Sequence, residues 1–145
     1  MTFDRSGLST HAYAQKQRIF GTGGFYTVGA LKMGALYTDV NYDYLDGQHL
    51  NMQNFSVSAN YRLHPDFLIG GAYVYTVGRY TITSKKPSWN ELNLVADYFL
   101  SKTTDIALMV YLQQSGGGAK ADIQGYYASS TNRQLVTTLG MRHLF

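Results

Sequence analysis

The chain has 145 residues, of which 45% are hydrophobic and 14% charged, with a net charge of +3 and no cysteine. Its longest apolar run, Ile106 to Leu112, is far short of the ~20 residues a membrane helix needs, and without cysteine neither a disulfide scaffold nor a thiolate zinc site is available. The basic residues are scattered, Lys85–Lys86 being the only adjacent pair, which is not the clustered footprint of a nucleic-acid binder.

Thirteen tyrosines, fifteen glycines and a single glutamate, Glu91, favour strands and tight turns over helices. The first stretch, 1–17, is polar and poorly patterned, and reads as a surface loop or the remnant of a preceding strand. Met1 to His11 has no apolar core of the kind a signal peptide needs. Arg18–Tyr26 is a weak, glycine-rich strand. Leu31–Tyr42 sets Leu31, Met33, Ala35 and Tyr37 against Lys32, Gly34 and Thr38. Asn54–Leu63 is the clearest segment, with Phe55, Val57, Ala59, Tyr61 and Leu63 alternating with polar residues. That period of two marks a strand with one apolar face. Phe67–Val77, Trp89–Leu100, Asp105–Gln113 and Asn132–Phe145 read the same way.

The connections alternate in length. Thr27–Ala30, His64–Asp66 and Ser101–Thr104 are short. Asp43–Gln53, Gly78–Ser88 and Gln114–Thr131 are long. The short turns centre near positions 29, 65 and 102, so the repeating unit is one hairpin. Strands of about ten residues, short turns on one side and long loops on the other are the layout of outer-membrane barrels. Tyr26, Tyr61, Tyr98 and Phe145 lie near the short turns, and Tyr42, Tyr44, Tyr80 and Trp89 near the long loops. Aromatics at those two levels would form interface girdles. A soluble β-sandwich alternates in the same way, so alternation alone leaves both folds open.

Several segments carry a family resemblance. They are Ala96-Asp97-Tyr98, Leu100-Ser101-Lys102, Thr104-Asp105, Ser115-Gly116-Gly117-Gly118, Ala128 to Asn132, and Leu139 to Phe145. Leu31 to Thr38 and Gly71-Ala72-Tyr73 add to them. Over about residues 18–145 the sequence resembles the general, trimeric porins of Gram-negative outer membranes, in particular the Burkholderia type. The resemblance implies an all-β, antiparallel up-and-down transmembrane β-barrel, of which this chain supplies about seven of roughly sixteen strands. It also implies a channel for passive diffusion of small hydrophilic solutes and ions, not an enzyme, with no cofactor or metal. Outer-membrane lipid and lipopolysaccharide, two further copies in a homotrimer and the barrel assembly machinery are the implied partners, and nucleic acid is not. The implied location is the outer membrane, with the signal peptide and the constricting loop on a preceding part.

On this resemblance the pore-lining candidates are Lys32, Ser56, Ser58, Asn60, Arg62, Glu91, Asn93, Asp97, Asp105, Gln113 and Arg142. Thr138, Gly140, His143 and Phe145 resemble the C-terminal signal read during barrel assembly. The strand count is odd, and the first and last strands run the same way, so they cannot close on each other. Two alternatives stay open. One makes Leu8–Ala14 an eighth strand and closes a small barrel without a channel. The other is a soluble ligand-binding β-protein. An enzyme has little support: His11, His49, His64 and His143 are far apart and show no metal-ligand spacing.

Overall fold

The computed structural model describes residues 14–44, 47–81 and 86–145. Seven strands form one antiparallel sheet in chain order. They are β1 (Ala14–Val28), β2 (Leu31–Tyr44), β3 (His49–His64), β4 (Phe67–Tyr80), β5 (Ser88–Phe99), β6 (Thr104–Gly116) and β7 (Arg133–His143). Each strand touches only its neighbours in sequence. The fold is therefore all-β and up-and-down.

Local chemistry sets the short turns. Gly29 takes φ 56° between β1 and β2, a left-handed conformation that costs glycine little. Pro65 follows β3, where its fixed φ starts the turn. The turns join laterally, with Arg62 N–H donating to Ala30 O at 3.0 Å and Phe99 N–H to Asp66 O at 2.9 Å. Backbone pairing thus continues across the turn end of the sheet.

The strands outrun the hydropathy pattern at the opposite end. The first strand starts at Ala14, so residues 14–17 are strand and not loop. Residues 8–13 of the alternative eighth strand lie outside the described residues. β2 runs on to Tyr44 and β3 starts at His49, both inside the connection Asp43–Gln53 that the sequence suggests. The reason is physical. Alternation records only the part of a strand with an apolar face, whereas the backbone ladder continues wherever N–H and C=O groups meet. The overhang has polar cross-strand ties instead: Asp39 accepts hydrogen bonds from Asn51 at 3.0 Å and Gln53 at 3.1 Å.

Directly paired residues share a face, and successive residues alternate. One continuous row across the sheet reads Gly24, Ala35, Val57, Tyr73, Leu92, Leu112, Leu135. The next reads Tyr26, Met33, Ala59, Gly71, Leu94, Val110, Thr137. This face is apolar throughout its middle and lies open: Val57 is 56% exposed, Leu94 45% and Leu139 73%. Among the described residues no second layer covers it. A soluble sandwich would bury this surface against another sheet.

The small buried core lies on the other face. Ala119, Ala121 and Ile123 are buried there, together with Trp89. Leu50 of β3 is buried as well, and apart from it and Trp89 this core belongs to the connection between β6 and β7.

Candidate functional site

Every pore-lining candidate falls on the face opposite the apolar rows. Ser56, Glu91 and Gln113 share one row with Gly23, Leu36, Val74 and Gln134. Ser58 and Asn93 share the next, and Lys32 and Asn60 the one after. Arg62, Asp97, Asp105 and Arg142 collect near the turn end. The face is mixed rather than uniformly polar, since Phe25, Leu36 and Val74 belong to it.

Charges at the turn end are partly paired. Arg142 donates to Asp105, its Nε at 2.8 Å. Arg62 donates to Pro65 O at 2.9 Å, and its guanidinium lies 5.1 Å from the Phe99 ring centroid. Lys32 Nζ stands 4.5 Å over the Phe25 ring. Asn93 and Asp97 each keep one shielded side-chain oxygen with no hydrogen-bond partner among the described residues.

The aromatic positions divide differently from the sequence expectation. Tyr26, Tyr61 and Tyr98 lie on the apolar face near the turns. Phe145 follows β7 fully exposed, with the His143 ring edge-on at 4.8 Å. Tyr42, Tyr44, Tyr80 and Trp89, however, carry the parity of the polar face and do not form a second girdle. The apolar face carries Tyr37, Phe55 and Tyr75 in a row beside that of Trp89, with Tyr37 and Phe55 rings 4.8 Å apart. Nearness to a loop is not enough, because side chains one residue apart point to opposite faces. Within the assembly-signal candidates, Thr138 and Gly140 have polar-face parity, while His143 pairs with Thr104 on the other face.

The largest feature missing from the sequence reading is the β6–β7 connection, residues 117–132. It folds back onto the polar face of β5, β6 and β7. Trp89 Nε1 donates to Lys120 O at 3.0 Å, and Ser115 Oγ donates to Ala119 O at 2.7 Å. Gln113 Oε1 accepts from Asp122 N–H at 2.6 Å, and Gln134 Oε1 from Ile123 N–H at 3.0 Å. Gln134 Nε2 donates to Tyr127 O at 3.0 Å, and the Tyr126 and Thr138 hydroxyls meet at 2.7 Å. Gly117 and Gly118 turn the chain inward with φ of 66° and 81°. The signal was present but faint: Ile123 is a lone large aliphatic in a loop of small and polar residues.

The histidines are dispersed. His49 contacts Asp43, His64 contacts Asp66 and His143 contacts Thr104. His11 lies outside the described residues. Among the described residues, no group of three or more His, Asp or Glu could hold a metal ion.

A family model described as Gram-negative porin matches residues 2–119. No curated protein matches the chain. Among solved structures, in-vitro folded OmpT, an outer membrane protein of Vibrio cholerae, is similar with a TM-score of 0.73 at 14% identity. The match covers 91% of this chain and 47% of that one. A loop L8 deletion mutant of the same protein gives 0.72 at 14% identity, covering 88% of this chain and 37% of that one. The chain thus spans less than half the length of either, and at such identity the likeness is one of fold.

Proposed function

The chain belongs to the Gram-negative porin family, and from that premise we propose that it forms part of the wall of a water-filled outer-membrane channel. Small hydrophilic solutes and ions cross it by passive diffusion. The observation that carries this reading is the two-faced sheet. An open apolar face suits lipid, while charges and a folded-in loop share the opposite face. A lumen-facing side chain needs only water, so Lys32, Ser56, Ser58, Asn60, Arg62, Glu91, Asn93, Asp97, Asp105, Gln113 and Arg142 are the proposed channel lining. No covalent chemistry is assigned to them.

Strand direction supports a larger barrel. Among the described residues, each of β1 and β7 is paired on one side only, and both run toward the turn end. An open edge in lipid leaves backbone groups unsatisfied. Antiparallel closure therefore calls for an odd number of further strands. About nine would complete the roughly sixteen of a channel-forming porin. We read the chain as the C-terminal strands of such a barrel, of the Burkholderia type and trimeric when complete. Lipid, lipopolysaccharide and the assembly machinery are its proposed partners, the last through Thr138, Gly140, His143 and Phe145.

The test is planar-bilayer recording on the polypeptide that bears these strands, purified from outer membranes. Stepwise conductance from protein with heat-modifiable mobility is the expected result. Folded, heat-modifiable protein that never conducts would overturn the channel and favour a closed barrel whose interior is filled.

A further inference from the structure

We propose that Gln113 and Gln134 latch the 117–132 loop onto the lumen wall and so set the width of the channel. Glu91 acts as the positioning residue for the first latch. This rests on the channel reading above.

The loop's consecutive Asp122 and Ile123 N–H groups are each taken by a different wall glutamine, at 2.6 Å and 3.0 Å. A carboxamide suits the task because it offers an acceptor and a donor on one planar group. Gln113 Nε2 donates to Glu91 Oε2 at 2.6 Å, which turns the amide toward the loop, and reaches Asp122 O at 3.4 Å. Gln134 spends its donor on Tyr127 O at 3.0 Å, gripping the loop a second time. Between these grips the contact is dry: Ala121 is 0% exposed and Ile123 2%. Buried backbone N–H groups need partners, so removing an amide leaves one orphaned inside this contact. Beyond the contact Tyr127 is 97% exposed. The loop therefore occupies space on the polar face that an outward-standing loop would leave to water. The family match ends at residue 119, so the latched segment lies beyond it.

These residues contain no cysteine, so a cysteine introduced here is the sole thiol of the segment. Ile123→Cys and Tyr127→Cys variants of the membrane-embedded polypeptide would be treated with a membrane-impermeant maleimide. Tyr127→Cys should label quickly and Ile123→Cys should be protected. Adding Gln113→Leu with Gln134→Leu removes four hydrogen bonds to the loop, so it should raise Ile123→Cys labelling by at least ~10-fold, and should enlarge single-channel conductance. Glu91→Gln keeps an oxygen acceptor for Gln113 and should preserve the protection. If the double variant loses heat-modifiable mobility, Gln134→Leu alone serves, with a smaller shift in the same direction. Labelling of Ile123→Cys as fast as Tyr127→Cys, or an unlatched loop with unchanged conductance, would overturn the latch while leaving the channel standing. Protection of Ile123→Cys with no conductance from either form would instead sink the channel reading, and width-setting with it.

Discussion

Replacing Val57 with arginine probes which face meets lipid. Val57 lies midway between Tyr61, at the turn-side aromatic level, and Gln53, where the same face becomes polar. Four residues at ~3.3 Å each, tilted ~45°, place Val57 about 9 Å from either level. That is close to the middle of a ~25 Å apolar band. Arginine near the bilayer midplane costs about 2–4 kcal/mol. Ser58 provides the internal control, being at the same depth on the opposite face between Gly34 and Ala72. Those small neighbours leave room for a longer side chain, and arginine in a wet lumen should change stability by less than about 0.5 kcal/mol. The assay is urea unfolding of the polypeptide in lipid bilayers, comparing Val57→Arg with Ser58→Arg. Equal losses, or a larger loss for Ser58→Arg, would refute the face assignment.

Two further outcomes are expected. The Arg142–Asp105 pair is lopsided, with the arginine side chain 62% exposed and the aspartate 10%. Arg142→Ala strands a shielded carboxylate and should cost about 1–3 kcal/mol. Asp105→Asn leaves only a hydrated guanidinium and should cost under about 1 kcal/mol. Urea titration of the two variants checks the order, and a reversal would count against the geometry. Gly117→Ala should loosen the loop, because φ of 66° disfavours any Cβ by about 1–2 kcal/mol and the methyl would meet Lys86 O. Limited proteolysis within 118–131 should speed up, and an unchanged cleavage rate would refute that reasoning.

Much of the sheet was legible because a strand's side-chain period is fixed by its backbone. Phe55, Val57, Ala59, Tyr61 and Leu63 could share a face only if the segment is extended, and one polar residue between each pair settles the other face. The same parity, followed strictly, would also have placed Tyr42, Tyr44, Tyr80 and Trp89 opposite the apolar rows. Proximity to loops obscured it. Strand ends were less legible, since Asp39, Asn41, Asn51 and Gln53 pair through backbone and side-chain hydrogen bonds that leave no hydrophobic trace.

By itself, then, the sequence determined seven strand segments, their antiparallel order and the parity of residues such as Lys32, Arg62 and Asp97. These follow from local periodicity and from turns such as Gly29 and Pro65, whose chemistry acts over a few residues. Only the tertiary structure decided where residues 117–132 go. That outcome depends on Gln113 and Gln134 meeting two successive N–H groups, and on Ile123 finding a dry surface beside Ala121. Such contacts bring together β5, β6, β7 and a loop, and no local rule encodes a meeting of that kind.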